Sequence, residues 1–263
     1  MKKEKVLSVS VAAYNVENFI RNTLDSCVID TILDDIEVIV VNDGSTDGTK
    51  AIVEEFVDSY PDTFKLIDKE NEGYGSTVML GIKNATGKYF KLLDGDDWFD
   101  KKGICKLVDE LKNTDVDAVI SAMSVSDGEK YTCKAPLWSE IDGKTIDKKE
   151  FDYNKSFGIW ELTVKTELMK KAKLDLPLHC LYTDQIFVMK AMVQIHKIKI
   201  ICDSVYCYRK GFDEQSSSRN SRKKHFEEFA SVYDVILQIY LENRYEDGIA
   251  RSEERRVGKE CRS

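Results

Sequence analysis

Hydrophobic positions in the first half of the chain alternate between two spacings. Five short segments show the two-residue period or the continuous apolar run of a strand, and four longer segments between them repeat apolar residues at helical spacing. Strand–helix repeats with short links predict a parallel sheet covered by helices. The predicted strands are 6–12, 36–41, 64–68, 89–93 and 118–121, and the predicted helices are 17–27, 47–60, 74–85 and 101–113.

The pattern becomes less regular after Ser121, and we expect one domain with two unequal halves, 1–122 and 123–220. Within the second half, helical spacing is found at 163–173 and 184–195, and a strand is predicted at 197–208. An amphipathic helix is predicted from residue 221 to residue 243, within a C-terminal segment that we take as 221–250.

The two ends of the chain need separate interpretation. The N-terminal lysines suggest a signal peptide, but Leu7, Val9 and Val11 alternate with small residues, which indicates a core strand instead. Residues 251–263, RSEERRVGKECRS, look like the in-frame translation of a sequencing adapter. We therefore expect this tail to be non-native and the native chain to continue beyond Ala250.

Composition narrows the class of protein. Hydrophobic residues make up 42% of the chain and charged residues 33%, as in soluble globular proteins. No apolar run reaches the roughly 18–20 residues of a membrane span. The formal charge of −8 argues against binding to a nucleic-acid backbone. The seven cysteines include no C-x-x-C pair, which fits reduced thiols in a cytoplasm better than zinc or disulfides.

Three carboxylates directly follow the predicted core strand at 89–93: Asp94, Asp96 and Asp97. Ligands of parallel α/β sheets bind outside the carboxyl ends of the strands, where a cation would neutralise these charges. Oxygen ligands suit Mg²⁺ or Mn²⁺. The alternative is that the aspartates only cap the helix predicted from residue 101, as acidic residues commonly do.

Two candidates lie in the second half. Asp184 opens a predicted helix, so it is either an N-cap or a general base facing an acceptor hydroxyl. The segment 208–210, Tyr-Arg-Lys, precedes Gln215 and serines 216–218. This segment either clamps a phosphate through its arginine or forms a surface loop.

Four segments, in this order and spacing, resemble the family 2 glycosyltransferases of the GT-A fold. They are VSVAAYN at 9–15, VNDGSTD at 41–47, ATGKY at 85–89 and LDGDD at 93–97. The resemblance implies an α/β fold with a Rossmann-like, mostly parallel sheet flanked by helices and a smaller acceptor-side half. It also implies inverting transfer of a sugar from a nucleotide-diphosphate donor to an acceptor hydroxyl.

The resemblance assigns roles to individual positions. Asp184 would be the catalytic base, and Asp96 would ligate Mn²⁺ or Mg²⁺. The donor-binding residues would be Ala13, Tyr14 and Asn15 in the nucleotide pocket, Asp43 at the base, Asp94 near the ribose and diphosphate, and Arg209 over the diphosphate. Residues 1–122 would form the nucleotide-sugar-binding half, and 123–220 the acceptor-side half.

The implied partners are a nucleotide sugar, with UDP-sugars first, and a saccharide or other hydroxyl acceptor in cell-surface polysaccharide or glycoconjugate synthesis. We expect a cytoplasmic protein, and peripheral association with the inner face of the membrane stays open. Two other functions also stay open: a non-catalytic nucleotide-sugar binding module and a sugar nucleotidyltransferase. The second would be expected to show a Gly-rich, basic loop where this chain has residues 12–16, AAYNV.

Four positions depart from the family pattern. Ala13 stands where the family often has proline, and Thr183 precedes Asp184 where the family usually has glutamate. Val78 and Met79 occupy positions where the family often has an Arg-Asn pair. That arginine would be expected near the phosphates, so the contacts of this helix with the diphosphate stay open.

Overall fold

The computed structural model describes residues 4–126, 131–134, 139–150, 157–210 and 224–243. Ten strands form a sheet in the order β3-β2-β1-β4-β9-β6-β10-β5, with β7 beside β6 and β8 beside β10. The strands are β1 Leu7–Ala13, β2 Ile36–Asp43, β3 Phe64–Lys69, β4 Tyr89–Asp94, β5 Trp98–Phe99, β6 Ala118–Ser126, β7 Tyr131–Lys134, β8 Thr145–Asp147, β9 Leu162–Lys165 and β10 Lys197–Arg209. The helices are α1 Ile20–Asp25, α2 Thr49–Ser59, α3 Tyr74–Asn84, α4 Lys101–Lys112, α5 Thr166–Lys171, α6 Thr183–Gln194 and α7 Phe226–Asn243.

The N-terminal part is the predicted parallel sheet. Strand β1 pairs in parallel with β2 and β4, and β2 pairs in parallel with β3. Strand β2 is buried along its whole length, because helices cover both faces of the sheet. The predicted strands and helices of this part are confirmed to within a few residues, except that β6 continues to Ser126.

The helix predicted at 163–173 is wrong in its first part. Residues Leu162–Lys165 form β9, and α5 begins only at Thr166. Strand β9 lies between β4 and β6 and pairs antiparallel with both. These partners are distant in sequence, so the local spacing of apolar residues does not indicate a strand here. The expected division at residue 122 falls inside β6, and both halves of the chain contribute to one sheet.

Apolar side chains form a core on each face of the sheet. Strand β1 sends Leu7, Val9 and Val11 into one core, which α1, α2 and α4 cover. The other core lies beneath α3, α6 and α7, with Val78 and Phe187 among its members.

No helix in the described ranges is both long and apolar enough to cross a membrane. The C-terminal helix is confirmed over 226–243, whereas residues 221–223 and 244–263, including the expected non-native tail, lie outside the described residues.

A buried carboxylate joins the N-terminal ends of the central strands. Glu37 Oε1 accepts hydrogen bonds from Ser8 Oγ at 2.6 Å, from the Thr86 backbone N–H at 2.5 Å and from the Gly87 N–H at 3.1 Å. Glu37 Oε2 pairs with Lys65 Nζ at 2.6 Å. Burial raises the pKa of Glu37, but the hydrogen bonds from Lys65, Ser8 and Thr86 outweigh it and lower the pKa to about 2.

We expect Glu37→Gln to lower the free energy of unfolding by about 1–3 kcal/mol, because an amide cannot accept all of these bonds. The depressed pKa of Glu37 contributes stability above its ordinary pKa of 4.5, and this stability is lost as pH falls from there toward about 2. Urea unfolding at several pH values measures both effects. The exposed Glu54→Gln is the matched control, and an unchanged acid dependence in Glu37→Gln would contradict the prediction.

Candidate functional site

Two loops at the carboxyl end of the sheet are fastened to each other by Asn15. Its backbone has a φ of 51°, its N–H donates to Ser45 Oγ at 3.0 Å, and its Oδ1 accepts from the Thr46 N–H at 2.9 Å. Ala13 is buried at the end of β1, whereas the Tyr14 side chain is 51% exposed. Of the three predicted pocket residues, Tyr14 and Asn15 are therefore accessible, and Asn15 also fixes the two loops.

Asp43 organises the loop between β3 and α3. Its Oδ1 accepts from Lys69 Nζ at 2.7 Å and from the Glu72 N–H at 3.0 Å, and its Oδ2 accepts from the Gly73 N–H at 2.9 Å. Gly73 has a φ of 89°, and a Cβ there would lie 2.8 Å from the backbone nitrogen of His179. Asp43 therefore also has a structural role, which the sequence did not reveal, and its Oδ2 keeps capacity for one more donor.

An open cleft of 520 Å³ lies beside Asp43, at the ends of β2 and β3. Its lining is polar and carries both signs of charge, from Asn42, Gly44, Ser45, Lys50, Asp68, Lys69 and Glu70. A second cleft, of 320 Å³, lies between α3 and α5, away from the predicted site residues.

The acidic turn after β4 is anchored to β1 and α1. The Gly95 N–H donates to Ala12 O at 2.9 Å, and a Cβ at Gly95 would lie 2.7 Å from that same oxygen, so only glycine allows this close approach. Thr23 Oγ1 lies 2.8 Å from Gly95 O and 2.6 Å from Asp97 O. The backbone of the turn is thus held before any ligand binds.

The three aspartates of this turn have different surroundings. Asp97 is buried and accepts from Tyr206 Oη and from the Arg209 N–H, each at 2.6 Å. Asp94 Oδ1 is buried but makes no hydrogen bond. Asp100, not one of these three, caps α4 by accepting from the Gly103 N–H at 2.8 Å. The capping alternative is therefore wrong, and Asp94 and Asp96 are the carboxylates left for a ligand.

Arg209 lies over this turn from the end of β10. Its Nε donates to Asp96 O at 2.7 Å, and its guanidinium carbon lies 4.9 Å from the centre of the Phe19 ring and 4.6 Å from that of Trp98. Burial raises the pKa of Asp96, and the charge of Arg209 partly offsets this. Gln215 and serines 216–218 lie outside the described residues.

Helix α6 brings Asp184 to the same place. Tyr182, with a φ of 64°, is the N-cap of α6 without a capping side chain, so Asp184 is a first-turn residue and not the cap. Burial raises the pKa of Asp184. Burial also raises the pKa of Asp94, followed by the charges of Asp96 and Asp184. Asp184 therefore lies near enough to Asp94 for its charge to act on that carboxyl.

Three buried oxygens at this site have no hydrogen-bond partner of good geometry: Asp94 Oδ1, Tyr74 Oη and Thr183 Oγ1. Tyr74 and Asp94 nevertheless lie close enough for a weak hydrogen bond between them to affect the pKa of both. Each such group costs about 1–3 kcal/mol when it is left unsatisfied, so we expect polar ligand atoms to meet them. Sequence reasoning missed Tyr74, whose only signal is its place in the first turn of α3. Val78, at the family's arginine position, is buried in the core, so it brings no cation to the site.

The residues fit a divalent cation only in part. Within the described ranges, no group of three or more His, Cys, Asp or Glu side chains is arranged to hold a metal ion. Mg²⁺ is usually held by one or two carboxylates together with substrate phosphates, and Mn²⁺ accepts the same oxygen ligands. Asp96 with the unbonded Oδ1 of Asp94 matches that smaller donor set.

The family model for Glycosyl transferase family 2 matches residues 8–170. The chain belongs to this family. Among its curated relatives is the putative glycosyltransferase EpsH of Bacillus subtilis (strain 168). The two chains are 27% identical over 256 residues, which cover 90% of this chain and 70% of EpsH.

Two solved structures share the fold of this family 2 chain. TarS 1-349 of S. aureus, in complex with UDP-GlcNAc, has a TM-score of 0.69 at 23% identity, over 88% of this chain and 66% of that one. The mannosyltransferase PcManGT of Pyrobaculum calidifontis, in complex with GDP-Man and Mn²⁺, has a TM-score of 0.61 at 18% identity, over 98% and 76%. At these identities the likeness concerns the fold alone.

Asp97 and Asp96 should differ in their response to the same substitution in this family 2 chain. We expect Asp97→Asn to lower the free energy of unfolding by about 1–3 kcal/mol, because an amide keeps one acceptor oxygen where Asp97 accepts from both the Tyr206 hydroxyl and the Arg209 N–H. Asp96→Asn should cost less, since neither of these two donors bonds to the Asp96 carboxylate. Denaturant unfolding of both variants checks this, and equal losses would show that the two carboxylates are not distinguished as described.

Proposed function

We propose that the protein is an inverting glycosyltransferase that moves a sugar from a nucleotide-diphosphate donor, with UDP-sugars first, to an acceptor hydroxyl. The observation that carries the proposal is the match of residues 8–170 to Glycosyl transferase family 2, together with the acidic turn at the carboxyl end of β4. A charge on Asp184 affects the pKa of Asp94, although the two residues come from different halves of the chain.

Asp184 is the general base in this proposal. It takes the proton from the acceptor hydroxyl as the acceptor oxygen attacks the anomeric carbon, while the bond to the diphosphate oxygen breaks on the opposite face of the sugar. Attack and departure from opposite faces invert the configuration. The raised pKa of Asp184 suits this role, because a carboxylate with a higher pKa is a stronger base.

Asp96, with Asp94 beside it, would hold Mn²⁺ or Mg²⁺. When bound, the cation supplies positive charge that offsets the charge developing on the departing diphosphate. Arg209 stays close to the same turn through its bond to Asp96 O and adds a second positive charge. The complex of PcManGT with GDP-Man and Mn²⁺ supports the choice of metal.

The nucleotide would lie between Tyr14 and Asp43, where the loops are fixed and Asp43 Oδ2 can still accept a donor from the base. The complex of TarS with UDP-GlcNAc supports a uridine nucleotide. Residues 1–122 would then serve the donor and 123–220 the acceptor. We further propose a role in cell-surface polysaccharide or glycoconjugate synthesis from the cytoplasmic side, with peripheral attachment at the inner face of the membrane.

The central test separates a catalyst from a binding module. Wild-type protein should hydrolyse or transfer from its nucleotide sugar, and Mn²⁺ together with that donor should raise its melting temperature. Asp184→Asn should lose about 10²–10⁴-fold in turnover, the usual contribution of general base catalysis, and keep metal-dependent donor binding. Asp96→Asn should lose the dependence of donor binding on Mn²⁺.

The outcomes distinguish the alternatives. Donor binding without turnover in wild type would favour a non-catalytic module, and incorporation of label from a nucleoside triphosphate would favour a nucleotidyltransferase. Full turnover in Asp184→Asn would remove the assigned base. Gln185→Asn, on the neighbouring residue of α6, is the matched control and should leave turnover near that of wild type.

A further inference from the structure

The cleft between α3 and α5 combines an apolar base with a positively charged edge, and the proposed mechanism does not use it. Its volume is 320 Å³. Its charged residues are all lysines, and none of the residues that line it is acidic. The lysines, which are exposed, are Lys83, Lys170 and Lys173. The apolar residues, of which the second and third are buried, are Met79, Ile82, Met169 and Leu174.

The charges of the three lysines are not matched by carboxylates. Elsewhere in the described chain, lysines such as Lys65 form ion pairs with acidic residues. Lys83, Lys170 and Lys173 form no ion pair with any described residue. Lys170 Nζ donates to Ala85 O at 2.7 Å, which uses one of its three donors. Positive charge at the cleft is therefore left for an anion from outside the chain.

Lys173 occupies a backbone position that favours glycine. Its φ is 47°, and it directly follows Ala172, the C-cap of α5. The preference of helix ends for positive charge explains Lys83 and Lys170, which lie in the last turns of α3 and α5. This preference falls off beyond the last turn, so it does not account for a long side chain at position 173.

The lining fits an anion that is joined to a hydrocarbon group. Lysine ammonium groups bind phosphate as point charges, and the apolar base favours burial of hydrocarbon. A free inorganic anion would leave the apolar base uncovered, and a neutral apolar ligand would leave the lysines without a partner. A phospholipid headgroup with the first carbons of its chains meets both requirements. We propose that this cleft binds the headgroup of an anionic phospholipid and thereby holds the protein on a lipid surface.

The charge of the whole chain determines which face approaches such a surface. The formal charge is −8, so most of the protein is repelled by anionic lipid, and the face that carries the basic cleft is attracted. Helix α3 begins at Tyr74, close to Asp94 of the acidic turn, and its C-terminal half lines the cleft. Its 11 residues span about 16 Å, so the candidate site would lie about one helix length from the headgroups.

This inference rests on the membrane attachment put forward under the proposed function and gives it a location. Co-sedimentation of the full chain with lipid vesicles tests it. Wild type should bind vesicles of phosphatidylglycerol mixed with phosphatidylcholine and should not bind vesicles of phosphatidylcholine alone. Lys83→Gln and Lys173→Gly should each weaken this binding about fivefold, the usual effect of one lysine at an anionic lipid surface.

The melting temperature separates a binding defect from a folding defect. Lys173→Gly should melt at or above the temperature of wild type, because glycine adopts a positive φ without strain. Weaker vesicle binding by this variant then comes from the lost side chain and not from unfolding.

Lys171→Gln is the matched control. Lys171 is exposed and lies two residues before Lys173, but it does not line the cleft. Its substitution removes the same charge and should leave vesicle binding close to that of wild type. Inorganic phosphate serves as the probe for a free anion, and it should displace the protein from vesicles no better than chloride at equal ionic strength.

The outcomes are distinct. Equal weakening by Lys171→Gln and by the two cleft substitutions would show general attraction between charges and overturn the cleft as the site. Displacement by phosphate beyond that by chloride would overturn the lipid in favour of a soluble phosphate compound. Absence of wild-type binding to phosphatidylglycerol vesicles would overturn the inference outright. Vesicle binding requires neither nucleotide sugar nor turnover, so each of these results leaves the proposed glycosyl transfer standing.

Discussion

Asp97 is the side chain on which the rest of the site depends. The end of β4 brings three carboxylates within four residues, and their mutual repulsion opposes any fixed arrangement. Asp97 turns inward, where Tyr206 Oη and the Arg209 N–H bond to it. The same Tyr206 oxygen accepts from the Asp94 N–H at 3.2 Å. One buried carboxylate thereby ties β4 to β10, and the other two are the carboxylates that we propose for the ligand.

The N-terminal half of the fold was predictable because its signals are local. Strand β2 has a continuous apolar run and β1 alternates, and short links with turn residues separate them from the helices. Strand β9 was not predictable in this way, because its place between β4 and β6 depends on pairing partners distant in sequence. Strand β5, with two residues, is too short to carry a period.

The site shows the same division. The acidic turn and Asp184 stand out in the sequence, since charged residues follow a buried strand or open a helix. The inward direction of Asp97 and the bonds of Asp43 to the β3–α3 loop have no local signature. Both follow from where distant backbone N–H groups lie after folding. Tyr74 was missed for a related reason, since the absence of a partner for its hydroxyl becomes visible only in the folded chain.

Val78 is a departure of this chain from its family pattern that removes a charge. With Val78 in the core, position 78 of α3 contributes no cation to the site. Arg209, which belongs to the family pattern, is stacked between Phe19 and Trp98 and brings a cation from β10. The two rings and the hydrogen bond to Asp96 O orient its guanidinium. The positive charge that it brings to the acidic turn therefore belongs to a residue of β10.

The bonds of Asp43 to the loop before α3 have a consequence for how such an enzyme changes over evolution. Because those bonds are made to backbone N–H groups, the side chain at position 72 takes no part in them. Substitution of Glu72 can therefore leave both bonds in place, whereas loss of the Asp43 carboxylate removes both at once. The shape of the loop is thus tied to one residue at the end of β2, and sequence change at position 72 is tolerated more readily than change at position 43.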